Sequence, residues 1–169
     1  SIDADTLAQM NKRFNKVDRY GEMLGNLRRR GISYSLNFVF GWEGEKESAL
    51  PATLEFLQHH KVPAAYFNIL TPVKGTPLYD RLQSQDRILN SHDIDRWPGQ
   101  ICYIKPPYGT PETLERNVQE LYRNFYSLPS MVSRLPMPFT MSNVASWVIN
   151  FSQRRMARAE RSGNNFDGY

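Results

Sequence analysis

Residues 32–40 read ISYSLNFVF, and residues 64–70 read AAYFNIL. The first stretch alternates with a period of two. Ile32, Tyr34, Leu36, Phe38 and Phe40 fall on one face, and Ser33, Ser35, Asn37 and Val39 on the other. The second stretch sends Tyr66 and Asn68 to one side, and Phe67 and Ile69 to the opposite side. Between them, residues 45–61 carry helical spacing, with Leu50, Leu54 and Leu57 stacked. Pro51 is tolerable there only near the helix start. Strand, helix and strand within about 30 residues predict a right-handed βαβ unit with parallel strands. A packed barrel lumen selects Val, Ile and Leu, so the polar face of these strands predicts an interior that holds a ligand. The expected fold class is α/β, a partial (β/α) barrel followed by a mostly helical C-terminal extension.

Outward from this unit the chain is punctuated by helix signals. Asp3 caps a short helix reaching Phe14, and Asp18 opens another whose apolar face is Tyr20, Met23, Leu24 and Leu27. Arg28, Arg29 and Arg30 read as its solvated basic end, with Gly31 as the C-cap. Downstream, Gly75 permits a tight loop, and Thr76–Pro77 is a threonine cap with proline in the first helical position. Residues 90–109 read as irregular, around Trp97–Pro98–Gly99 and Pro106–Pro107. Thr110–Pro111–Glu112 opens a helix striped with Leu114, Val118, Leu121, Tyr122 and Phe125. Pro129, Pro136 and Pro138 break the chain before a last amphipathic helix over 142–161, with Val144, Trp147, Val148 and Phe151 on its apolar side. The tail 162–169 reads as disordered. This gives residues 1–89 as barrel, 90–135 as irregular loop and helical extension, and 136–169 as basic helix and tail.

A chain of 169 residues, with 40% hydrophobic and 22% charged side chains, suffices for one core and excludes a disordered composition. No run approaches the ~20 apolar residues of a membrane span, and no signal peptide is evident, so a cytoplasmic protein is expected. The net charge of +4 is concentrated C-terminally. Across residues 129–161, Arg134, Arg154, Arg155, Arg158 and Arg161 face only Glu160. No nucleic-acid motif accompanies them, and no nucleic-acid partner is expected. The single cysteine, Cys102, excludes an internal disulfide framework and an all-cysteine metal site. Set within ICYI, it reads as a buried thiol. His59, His60 and His92 lack metal-ligand spacing, and Glu43, Glu45 and Glu47 read as a solvated helix start. No catalytic side chain and no metal ligand is assigned. The glycine-flanked GWEG (41–44), between a strand and a helix, could offer backbone amides to a ligand.

Three segments together resemble the second half of a radical S-adenosylmethionine (SAM) enzyme barrel: SIDADTLAQMNK (1–12), NFVFGWEGE (37–45) and FNILTPVKGTPLYDRL (67–82). The last, with the later WPG and LYRNFYSLPSMVSRL (121–135), is most similar to the group of Fe–S oxidoreductases that carries a cobalamin-binding domain. The resemblance implies that Ser1 sits at the ribose-side strand end and Lys12 meets the SAM carboxylate. It places Asn37 against the ribose, Val39 and Gly41 against adenine, and the Leu70 and Thr71 backbone at the adenine edge. Tyr66 and Asn68, with the loop 90–109, are the candidate substrate contacts. The departures are Asn37, where an acid or glycine is common, and Glu45, one position out of register.

The parent enzyme implied by the resemblance uses a 4Fe–4S cluster, SAM and cobalamin. It cleaves SAM reductively to a 5′-deoxyadenosyl radical and modifies a small organic substrate, such as a lipid or pigment, methylation being one outcome. The cluster requires CxxxCxxC, which this sequence lacks. The chain opens at Ser1 directly into a helix signal, as a piece of a longer protein does. It is therefore expected to be an inactive fragment whose partner is the missing N-terminal half of the barrel. Exposed strand edges would favour self-association. The basic C-terminal helix would allow peripheral contact with the inner membrane face. The alternative is a non-catalytic α/β interaction or ligand-binding module.

Overall fold

A computed structural model describes residues 1–9, 12, 16–89, 99–135 and 141–159. Its sheet has two parallel strands, β1 (Ser35–Phe40) and β2 (Ala64–Ile69). Before β1 come α1 (Ala4–Gln9), a 3-10 turn (Val17–Arg19) and α2 (Tyr20–Arg29). The helix α3 (Ala49–His59) connects the strands. After β2 follow α4 (Pro77–Ser84), α5 (Pro111–Phe125), α6 (Leu128–Arg134) and α7 (Met141–Ala159). The chain divides into two compact units, one comprising Ser1–Val17, Asn37–Leu50 and Phe67–Val118, the other Asp18–Leu36, Pro51–Tyr66 and Gln119–Tyr169.

The strand faces follow the predicted alternation. Phe38 and Phe40 are buried on one side of β1, and Phe67 and Ile69 on the matching side of β2. In the first unit the Phe38, Phe40 and Phe67 rings form a cluster with centroids 6.1–6.4 Å apart. The strand is shorter than the pattern because Gly31 closes α2. The Ile32 amide donates to the Leu27 carbonyl and the Gly31 amide to that of Arg28, while Gly31 takes φ +68°. This paired capping arrangement holds the chain in a turn before it can extend. Asp3 caps α1 by accepting from the Thr6 amide, and Thr76 caps α4 by accepting from that of Tyr79. Thr110 does the same for the Thr113 amide at the start of α5.

Three expectations are corrected. The helix between the strands starts at Ala49, four residues late, because 41–48 form successive turns. Pro129 does not break the chain; it lies in the first turn of α6, where its missing N–H costs nothing. On α7, Trp147 is buried but Val144, Val148 and Phe151 are exposed. Its inward side is polar instead, carrying Asn143, Ser146 and Asn150. Ser146 meets the Ser33 hydroxyl at 2.8 Å, and Asn150 donates to the carbonyls of Pro63 and Ser146. The tail 162–169 and the segment 90–98 lie outside the described residues.

In the second unit Asn150 also meets Arg134, which is 3% exposed. Its guanidinium donates to the carbonyls of Val62, Pro63 and Phe125, to Asn150 Oδ1 and to Ser130 Oγ. It also lies 3.6 Å from the centroid of the Phe125 ring. Beside it, the Tyr126 hydroxyl donates to the Ala65 carbonyl and accepts the Ala65 amide, occupying the outer edge of β2. Replacing Arg134 by Ala removes its hydrogen bonds to these buried carbonyls and leaves their network broken, a loss of about 3–5 kcal/mol. We expect Arg134→Ala to unfold at markedly lower urea concentration. Arg134→Lys, which keeps the charge without the planar fork, should recover only part of the difference.

Candidate functional site

The carboxyl ends of β1 and β2 lie in the first unit, where parallel α/β proteins concentrate their sites. Asn37 and Asn68, one from each strand, meet on the polar face, and the Asn68 amide donates to Asn37 Oδ1 at 2.7 Å. The contact is solvent-exposed. The outer edge of β2 is covered here by Gly99, whose carbonyl accepts the Ile69 amide at 2.7 Å. A Cβ on Gly99 would stand 2.9 Å from Asn68 Oδ1, and its φ is +66°. Glycine is thus required where the chain presses against the asparagine pair.

Val39 is half-buried between these positions, and Thr71 is half-buried just beyond β2, its hydroxyl donating to the Ile69 carbonyl. Leu70 is buried, and its amide is taken by the Phe40 carbonyl at 2.8 Å. Gly41 has φ +88°, and a Cβ there would meet Leu114 at 3.1 Å. The left-handed backbone, with tight packing against Leu114 of α5, accounts for this glycine without a ligand. Ser1 is half-buried, within electrostatic reach of Lys12 and Glu45, while Lys12 is exposed. Tyr66, half-buried, belongs to the second unit, so it is not gathered into this group.

Glu45 corrects the sequence reading most sharply. It was expected to be solvated, yet it is only 8% exposed. Its Oε1 accepts the Gly41 amide at 3.2 Å and the Tyr108 hydroxyl at 3.0 Å. Burial raises its pKa, opposed by these hydrogen bonds. Burial and the adjacent carboxylate push the Tyr108 phenol far up, so it remains a donor. The signal available in the sequence was Gly41 four residues before an acid, a turn whose amide invites a carboxylate. Glu43 instead stays near the surface, 3.2 Å from Arg87 and 3.6 Å from Arg81.

Cys102 is buried as expected, its thiol hydrogen-bonded to the Ile104 carbonyl and its pKa raised chiefly by desolvation. One such thiol does not fit the ligand set of an iron–sulfur cluster. Among the described residues no group of three His, Cys, Asp or Glu side chains could hold a metal ion. Nor, among those residues, is any helix long and apolar enough to cross a membrane.

No protein-family model matches the chain. It is, however, similar to two methyltransferases of Chlorobaculum tepidum. Against bacteriochlorophyllide d C-12(1)-methyltransferase it is 27% identical over 161 residues, covering 94% of this chain and 33% of that protein. Against bacteriochlorophyllide d C-8(2)-methyltransferase it is 22% identical over 135 residues, covering 79% of this chain and 30% of the relative. The chain spans about a third of the length of these curated relatives.

The raised pKa of Glu45 has a consequence for stability. The folded state holds this proton more tightly than the unfolded chain, whose carboxyl titrates near 4.5. The resulting stabilisation is complete below that value and is lost as pH rises through the folded-state pKa. Glu45→Gln keeps the acceptor oxygen but does not titrate. We expect the stability of the unmodified protein, measured by urea unfolding across this pH window, to fall relative to Glu45→Gln as pH rises. A difference that stays flat with pH would remove the buried carboxylate from the account.

Proposed function

We propose that this chain forms part of a SAM-dependent methyltransferase of the radical SAM class, whose substrate is a pigment of the bacteriochlorophyllide type. The observation that carries the reading is the pairing of Asn37 with Asn68 at the ends of two parallel strands, in a chain similar over 94% of its length to a pigment methyltransferase. In this reading β1 and β2 belong to a partial (β/α) barrel, with residues 1–89 as barrel, 90–135 as extension and 136–169 as C-terminal helix and tail. The missing N-terminal half of the barrel is the proposed partner, and the fragment alone is proposed to be inactive.

The proposed roles follow from chemistry each residue can perform. Asn37 offers an amide to a ribose hydroxyl, and Asn68 holds the Asn37 side chain in register; Asn68 and, separately, Tyr66 are the proposed substrate contacts. Val39 supplies apolar contact to adenine, the Gly41 backbone a close approach, and the Leu70–Thr71 backbone the adenine edge. Lys12 is an exposed point charge suited to a carboxylate, and Ser1 lies on the same side, near Glu45. SAM supplies the transferable methyl group when bound. Among the described residues no group of side chains could hold a metal ion, and the cluster and cobalamin are proposed to be held by other parts of the full-length enzyme.

A cytoplasmic protein with peripheral contact at the inner membrane face is proposed. The outward stripe of Val144, Val148 and Phe151, continued by Arg155, suits an anionic lipid surface. Self-association through a sheet edge remains proposed, although the outer edge of β2 is occupied by Tyr126 and Gly99.

The decisive measurement is methyl transfer to a bacteriochlorophyllide by the full-length enzyme under anaerobic, reducing conditions. Asn37→Ala should raise the KM for SAM about tenfold, the worth of one or two hydrogen bonds. Unchanged SAM dependence in Asn37→Ala would overturn the site assignment. Absence of SAM-dependent methyl transfer to any chlorin substrate would overturn the function.

A further inference from the structure

In the second unit a cleft of about 360 Å³ opens between the end of α5, the start of α6 and the last turns of α7. Three arginines line it: Arg123 from α5, and Arg154 with Arg158 one turn apart on α7. Leu128 and Pro129 supply an apolar wall. Among the described residues, no carboxylate lines the cleft and none pairs with any of the three.

Two of the three arginines are tethered rather than free to splay. Arg123 Nε donates to the Ala157 carbonyl at 3.4 Å, and Arg154 Nη1 to the Tyr126 carbonyl at 3.0 Å. Each tether uses one of the five N–H donors of a guanidinium, leaving the others available. The neighbouring cations feel one another: the pKa of Arg154 is lowered by desolvation and then by Arg158. Like charges held together in an open cleft are a standing electrostatic cost that an anion would relieve. A planar fork also matches a phosphate oxygen pair better than a lysine would.

We propose that Arg123, Arg154 and Arg158 form a binding site for a phosphate group, carried on a small molecule or on a lipid headgroup. The open donors of Arg154 and Arg158, together with Arg123, take the phosphate oxygens, and Leu128 and Pro129 flank the apolar part of its carrier. The cleft is lined by residues of the second unit, whereas the proposed SAM-binding residues all belong to the first. The success or failure of the phosphate site therefore leaves the methyltransferase reading untouched.

The test is thermal denaturation and calorimetric titration of the full chain with inorganic phosphate and pyrophosphate, against chloride at equal ionic strength. Arg158 is exposed and tethers nothing among the described residues, so Arg158→Gln should fold normally. We expect saturable binding of pyrophosphate, weakened about tenfold in Arg158→Gln and further in the Arg154→Gln/Arg158→Gln pair. Flotation with vesicles containing phosphatidylglycerol distinguishes the sources. Binding lost in Arg158→Gln and displaced by pyrophosphate marks a headgroup, whereas pyrophosphate binding without flotation marks a free phosphate. No saturable response at matched ionic strength, or equal affinity in folded Arg158→Gln, overturns the site.

Discussion

The second unit is organised around a cation that has left water. A guanidinium as buried as that of Arg134 would be prohibitively costly if its donors went unmet. Its charge is spread over carbonyl oxygens from the turn before β2 and the end of α5, with Asn150, Ser130 and the Phe125 ring completing the shell. Desolvation lowers its pKa to about 10, which still leaves it charged at neutral pH. The arrangement fixes more than one side chain. It requires α7 to turn Asn150 inward, and Asn150 in turn takes the Pro63 carbonyl, so the turn leading into β2 is held from two sides. Tyr126 then secures Ala65 on the strand itself.

That dependence explains why the last helix was misread from its sequence. Periodicity assigns the apolar side of an amphipathic helix to the core, and Val144, Val148 and Phe151 line up convincingly. The buried cation reverses the preference, because it needs oxygen acceptors nearby and α7 supplies them through Asn150. A sequence pattern records how greasy a face is, but not that a distant arginine has been buried beneath it. Glu45 failed for a related reason: its burial is set by the Gly41 turn and by Tyr108, which is remote in sequence.

What depends on local chemistry was legible. Alternation located both strands, since one face of each must be apolar to be covered. Asp3, Thr76 and Thr110 marked three helix starts because an oxygen in that position satisfies an otherwise orphaned amide. Gly31 marked an end for the complementary reason. Strand phase placed Asn37 and Asn68 on the polar face, but their hydrogen bond was not read from the sequence, because it depends on the register between the strands. The close approach of Gly99 to that pair did not follow, because it depends on a loop returning from thirty residues downstream.

The two treatments of arginine in the second unit finally bear on each other. Arg134 shows that this part of the chain can satisfy a guanidinium completely when the residue serves the fold. Arg123, Arg154 and Arg158 are given one tether or none among the described residues, although main-chain carbonyls lie close enough to engage two of them. A tether through one N–H orients the fork without consuming it. Structural economy alone would favour neutral residues here, since three neighbouring cations repel one another and Leu128 and Pro129 already provide apolar cover. The persistence of charge beside a well-built alternative is what separates this cleft from an ordinary basic surface, where long side chains spread into solvent and their mutual repulsion is screened.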